Sequence, residues 1–383
     1  MTTIIRAGAA HDLLALVPAL AGFRPERSIV CVAFRGNRSA GVLRYDLPRR
    51  ARERPVVADA LIATLCRIPG VDAVVPIAYT DATFSAGRGM PERALLSLVA
   101  GRADEAGFVV RDALCRAADA WGSLLDPDTP EAGHPLSMID ESPVAERVQL
   151  HTSELGTVQA SGELPQRDEA RAESIASELE AFADERRIES RLEGLGAEVD
   201  PVELVEALLR EDPGSHPPRR LAWFLHLASA PAMRDAMMLQ LAFGPVVGML
   251  AHDDAEVTAE RADRSTTTVD DLVGRDLEEG EEDEVSELLA RLLLGQSTTR
   301  PDPSRIECAL GILRPLIADA PIDRRIGPLC IAAWLTWSLG RGSAAGALVD
   351  RALEVDHDHS MATLLAAFIG SGALPEWAFS VEQ

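Results

Sequence analysis

The chain has 383 residues, 47% of them hydrophobic and 26% charged, which is ordinary globular material for two or three domains. It contains no lysine: all 37 basic residues are arginine, which excludes Schiff-base, P-loop and kinase-type lysine chemistry. The formal charge of −24 repels phosphate backbones, so general nucleic-acid binding is disfavoured.

The near-absence of Asn, with Asn37 alone, is the amino-acid bias of a GC-rich genome. Residues 3–7 have the pattern of a short first strand, and His11–Phe23 of a helix that Pro18 should kink or break. Ser28–Phe34 (SIVCVAF) reads as a buried strand, and Ala40–Leu47 as its hairpin partner across the turn Gly36-Asn37-Arg38-Ser39. A helix over Pro55–Ile68 follows. Val71–Tyr79 then has strand character, and Pro76 within it points to an edge or a bulge. Glu92–Ala106 is the next helix and Phe108–Leu114 the next strand. This order implies a mixed sheet with helices packed on it.

Residues 126–165 are rich in Pro, Gly, Asp and Ser and read as a long connection with one strand near Arg147–Leu150. Beyond them the apolar spacing predicts only helices, over 167–187, 201–211, 217–229, 231–251, 283–295, 302–318, 325–339, 344–355 and 359–370. The stretch 253–287 carries 15 acids against Arg261, Arg264 and Arg275, and is expected to stay mobile and solvated. The sequence thus predicts an α+β protein: a mixed α/β domain over 1–165 and a helical domain over 166–383. The second domain holds most of the negative charge.

The five cysteines, Cys31, Cys66, Cys115, Cys308 and Cys330, show no C-x-x-C spacing and sit in apolar runs. They fit free thiols in a reducing cytoplasm and supply neither a disulfide framework nor a zinc site. The N-terminus lacks the pattern of a signal peptide, and no run of about 18 apolar residues predicts a membrane span. No G-x-S-x-G or G-x-G-x-x-G motif occurs, so no catalytic residue, cofactor or metal is assigned.

Two features could nevertheless hold an anion. Nine arginines fall between Arg24 and Arg54, opposed by Glu26, Asp46 and Glu53, and the hairpin could bring Arg35, Arg38 and Arg44 together as bidentate donors. The alternative is that they pair with the acidic half. Gly87-Arg88-Gly89 lies between a strand and a helix, where backbone and Arg88 could cradle a phosphate; the alternative is a plain loop before Pro91. His11, beside Asp12 at a helix start, could serve as a base near the cluster, or Asp12 could simply cap the helix. His357-Asp358-His359 offers metal-binding chemistry but sits where a polar turn is expected anyway. Trp334 and Trp337 share a helix face and read as core.

The run from His11-Asp-Leu-Leu through Phe23 to Arg24-Pro-Glu-Arg-Ser-Ile-Val30, continuing into Gly41-Val-Leu-Arg-Tyr-Asp-Leu-Pro48, resembles the opening signature of the actinobacterial domain of unknown function 4192 family. Ala332-Ala-Trp-Leu-Thr-Trp-Ser-Leu-Gly340 and Asp350-Arg-Ala-Leu-Glu-Val-Asp356 resemble its closing segment. The Cys- and Tyr-containing segment that such proteins often carry after the Trp near residue 121 is absent here. The resemblance implies the fold but transfers no activity. The C-terminal run has tetratricopeptide character, with Gly340 ending one helix and the small residues Ala345 and Ala352 on one face of the next. The functional expectation is therefore an interaction or regulatory protein that binds another protein through its helical half. The alternative is an enzyme or binder of a small anionic ligand on the α/β domain.

Overall fold

The computed structural model describes residues 7–86, 89–152, 156–184, 187–265 and 284–380. The expected first strand over 3–7 falls almost wholly outside them. The chain divides into two compact units between Ser161 and Gly162.

In the first unit a mixed sheet is sandwiched between helices. Helix α1 (Ala10–Ala21) precedes strands β1 (Ser28–Arg35) and β2 (Arg38–Asp46), which form an antiparallel hairpin. Its two-residue turn places Gly36 at φ 50°, a conformation that favours glycine. Helix α2 (Arg54–Arg67), strand β3 (Ala73–Tyr79) and helix α3 (Arg93–Glu105) follow. Four short strands then complete the sheet: β4 (Val109–Val110), β5 (Leu114–Arg116), β6 (Ala120–Ser123) and β7 (His134–Pro135). The order across it is β2-β1-β3-β5-β6-β7, with β4 also on β3. The pairs β3–β4 and β3–β5 are parallel and the others antiparallel.

Alternation along β1 and β3 separates two apolar layers. Ile29, Cys31, Val74 and Ala78 pack on α2 and α3, whereas Val30, Val32, Val75 and Ile77 pack on Leu13, Leu14 and Val17 of α1. One expectation is narrowed here, since Pro18 does not break its helix, and one is corrected. Helix α1 continues through Pro18 as one element and ends at Gly22, φ 78°. Pro76 lies in a central strand with continuous register to β1. The irregularity falls on the neighbour instead: the parallel partner is split into β4 and β5 opposite Val75 and Pro76, where the missing N–H cannot serve a ladder.

The expected long connection contains helices α4 (Ser137–Asp140), α5 (Pro143–Thr152) and α6 (Val158–Ser161). The strand expected near Arg147–Leu150 is therefore helix. Pro143 starts it and the Ser142 hydroxyl accepts the Val144 N–H, which are helix-opening features.

In the second unit the described secondary structure is helical: α7 (Glu169–Phe182), α8 (Ile188–Glu193), α9 (Pro201–Arg210), α10 (Pro218–Ala228), α11 (Pro231–Phe243), α12 (Pro245–Ser265), α13 (Glu284–Leu293), α14 (Pro303–Asp319), α15 (Ile326–Ser338), α16 (Gly342–Val355) and α17 (Ser360–Gly370). The single helix expected over 231–251 is two, broken at Gly244 with φ 94°. The acidic stretch expected to be mobile is helical over 253–265 and 284–287; the remainder lies outside the described residues.

The core of this unit is aromatic at its centre. Trp334 and Trp337 are buried on α15, as read from their spacing. Trp334 donates to the Leu293 carbonyl at 2.8 Å, Trp337 to Ala373 at 2.8 Å and Trp377 to Ser338 at 2.9 Å, so each indole N–H is partnered. Helices α15 and α16 form a hairpin on which Ala345 and Ala352 are fully buried, and α14 and α17 pack against α15. No helix among the described residues is long and apolar enough to cross a membrane.

Candidate functional site

The arginines that the sequence groups together are dispersed. Arg35 and Arg38 face one another at the β1–β2 turn and are exposed. Beside them Arg111 donates to the Gly36 carbonyl and lies 4.7 Å over the Phe34 ring. Arg44 pairs with Val30 toward the other end of the hairpin, on the α1 face, and its guanidinium is bound to Asp46. Arg27 faces Asp81 at 3.8 Å and Arg54 faces Glu92 at 3.9 Å, so these arginines meet carboxylates of their own unit.

His11 lies on α1 with its ring 6.1 Å from that of Trp121 on β6. Four strand steps separate β6 from β2, about 19 Å, so His11 and Arg44 do not converge. Asp12 does cap the helix: it accepts from the Gly8 and Ala9 N–H groups and from the Ser142 hydroxyl at 2.6 Å. Burial raises its carboxyl pKa, but these bonds and nearby His11 prevail and hold it below the ordinary carboxylate value. Gly89 has φ 98° and open space where a Cβ would stand; Gly87 and Arg88 lie outside the described residues.

The metal-like run near the C-terminus has a local role. His359 is the N-cap of α17, its Nδ1 accepting the Ala362 N–H, while His357 and Asp358 are an exposed pair. Among the described residues no cluster of three or more His, Cys, Asp or Glu side chains is arranged to hold a metal. Burial pushes the Cys31 thiol up to about 12, and burial with nearby Glu92 does the same to Cys115, so neither is a ready nucleophile. An open depression of about 470 Å³ lined by Asp104, Gly107, Phe108, Val110 and Leu125 includes none of the predicted residues.

Two arrangements were not read from the sequence. The first is a face of α12 and α13. Val246, Met249, Leu250 and Val257 recur at helical spacing on α12, and they are 64%, 48%, 39% and 55% exposed. Asp253 sits within this stripe, and Glu256 and Glu260 border it; all three are exposed. Helix α13 joins α12 through a bond from the Ser286 hydroxyl to Asp254 and leaves Val285 and Leu288 uncovered beside Glu284 and Glu287. The heptad-like recurrence 246, 250, 253, 257 was available as a signal. A core-facing stripe and a docking stripe look alike in a sequence, however, and α12 carries both.

The second is a row across the sheet. Register places Asp46, Ser28, Tyr79, Arg116, Trp121 and His134 side by side on β2, β1, β3, β5, β6 and β7. Ser28, Tyr79 and Trp121 are buried, and among the described residues the Ser28 Oγ, Tyr79 hydroxyl and Trp121 Nε1 have no hydrogen-bond partner.

No curated protein and no solved structure matches the chain. A family model does, described as a domain of unknown function, DUF4192, and it spans residues 11–376. With nearly the whole chain covered, from the His11 of α1 to the turn that carries Trp377, the protein belongs to the domain of unknown function 4192 family.

Proposed function

We propose that the protein works as an interaction protein, holding a basic amphipathic helix of a partner on the α12–α13 face. The observation that supports this is the exposed apolar stripe Val246, Met249, Leu250 and Val257 with its acidic border. Exposed stripes of this kind cost solubility and are kept where something covers them. From Val246 to Val257 the stripe is about 16 Å long, three turns of helix, which suits a helical occupant. Asp253, Glu256, Glu284 and Glu287 set the sign of that occupant: arginine or lysine beside its apolar face. A second copy of the same face would bring carboxylate against carboxylate, which argues against self-pairing here.

The rest of the second unit serves as a rigid support. In this reading the α15–α16 hairpin is tetratricopeptide-like, its close approach made by Ala345 and Ala352, and it stiffens the body that presents α12. The five free cysteines suit work in a reducing compartment such as the cytoplasm.

The test uses the full chain and a fluorescent peptide of Leu and Arg in helical heptads, with a scrambled peptide of the same composition as control. Anisotropy should show binding of the amphipathic peptide that weakens with salt and is lost in the triple variant V246S/L250S/V257S. Equal binding of the scrambled peptide, or undiminished binding by the variant, would defeat the proposal. So would a concentration-dependent dimer abolished by the same variant, which would assign the face to self-association.

A further inference from the structure

The row across the sheet is independent of the helical surface. Its members alternate with residues of the α2–α3 layer, so their side chains share the α1 face with Val30, Ile77 and Leu114. Ser28 and Tyr79 are direct partners on β1 and β3, and Arg116 on β5 stands between Tyr79 and Trp121. The row lies at the carboxyl ends of the parallel strands β3 and β5, where open α/β sheets place ligands.

Its chemistry is one-sided. The Trp121 indole and the Arg116 guanidinium are donors only, and the Ser28 and Tyr79 hydroxyls each bring a donor. A buried polar atom without a partner is costly to leave bare, and Ser28, Tyr79 and Trp121 bring three such atoms into one row. Arg116 is exposed, and among the described residues its guanidinium has no carboxylate within ion-pair distance. Asp46, the acidic member, is already engaged by Arg44.

The surroundings are built rather than loose. The loop after β3 is tied to the β5–β6 turn: Thr80 donates to the Arg116 carbonyl, and the Asp119 carboxylate accepts from the Phe84 and Ser85 N–H groups at 2.9 and 3.1 Å. One of the described non-glycine residues with left-handed backbone, Arg27 at φ 40°, immediately precedes Ser28. Strain of this kind collects at binding sites.

We propose that this row binds a small oxyanion, a carboxylate or phosphoryl group, held by Arg116 at the entrance and by the donors on its two neighbouring strands, the Tyr79 hydroxyl and the Trp121 indole. Arg116 supplies the bidentate charge and the buried donors supply the selectivity, because an anion that engages them relieves groups otherwise left bare. The site differs from the arginine cluster at the β1–β2 turn, whose exposed residues lack buried donors.

The experiment titrates the full-length protein with sodium phosphate and, separately, sodium succinate, against sodium chloride at matched ionic strength. Thermal unfolding and calorimetry give the readouts. At least one of the two anions should bind saturably and raise the unfolding temperature; which one does so separates the phosphoryl from the carboxylate source. R116Q should weaken binding about tenfold or more. Y79F should weaken it several-fold while leaving the ligand-free unfolding temperature unchanged or higher, since it removes a hydroxyl that has no partner. Absence of saturable binding by both anions overturns the proposal. So does binding undiminished in R116Q, or a ligand-free Y79F that unfolds several degrees early, which would show the hydroxyl already bonded within the protein.

Discussion

The two units differ in where their unbonded buried polar groups gather. In the helical unit buried polar groups are mostly spent on structure. Asp319, fully buried, accepts from the Asp168 N–H and from Arg171. Arg220 is held between Glu198 and Glu211, and Arg305 binds Glu206 and the Gln240 carbonyl. Where a ring, amide or guanidinium atom there lacks a partner, as in His216, Gln240 and Arg305, another atom of the same side chain is bonded. His252 is the exception, with neither nitrogen partnered. In the sheet unit Ser28, Tyr79 and Trp121 have no side-chain bond among the described residues, and they stand in one row. A bonded buried group marks a joint; an unbonded row marks a place meant for something else.

Substitutions can break this contrast. The largest effect belongs to Asp319→Ala, which leaves Arg171 and the Asp168 N–H without their acceptor and should cost about 3–5 kcal/mol. Urea unfolding followed by tryptophan fluorescence reads it directly, because Trp223, Trp334, Trp337 and Trp377 all lie in that unit. A cost below 1 kcal/mol would show that the pair is not structural.

Gly295→Ala should come next. Its φ is 66° and an added Cβ would stand 2.5 Å from the Trp337 ring, so about 2–4 kcal/mol is expected by the same unfolding measurement. Gly89→Ala in the sheet unit meets open space at φ 98° and should lose only the backbone share, about 1–2 kcal/mol.

His252 sharpens the comparison through pH. Burial holds its imidazole below the ordinary histidine value, with Asp200 and Asp253 only partly opposing. Burial also lowers His216, with Arg220, and His226, with Arg324. The unfolded chain takes up protons near the ordinary value that the folded chain refuses. Stability from these groups is therefore complete above that value and declines as the pH falls below it. Unfolding of the helical unit should ease between neutral and mildly acid pH, and His252→Leu should flatten that slope while adding about 1 kcal/mol at neutral pH. An unchanged slope would mean that His252 is partnered.

The smallest stability effect is expected on the docking face. Val257→Ser, at an exposed position, should shift stability by less than about 0.5 kcal/mol yet weaken the basic peptide severely. A larger loss of stability would make the face part of the core instead.

Much of the architecture was legible because it follows from local rules. The hairpin Ser28–Asp46, the helices from Glu169 onward and the buried Trp334–Trp337 pair all come from periodicities of two and 3.6. The errors came where one local signal had two solutions. Pro76 was compatible with an edge strand or with a broken neighbour. Arg147–Leu150 was apolar enough for a strand, but Pro143 and Ser142 open a helix there. Gly244 had to be left-handed before 231–251 could divide.

The candidate sites were less legible, since proximity in sequence is not proximity on a sheet. Arg35, Arg38 and Arg44 are near neighbours in the chain, yet the strand carries Arg44 toward the far end of the hairpin from the other two. What the amino-acid order determined alone is the class of protein: arginine without lysine, acid concentrated in the second half, strands first and helices after. Tertiary pairing decided the rest. Only the register of six strands could align Asp46, Ser28, Tyr79, Arg116, Trp121 and His134, and only packing could show which stripe of α12 is covered. A side chain's function depends on which partners it is left without, and those are assigned by contacts between residues far apart in the chain.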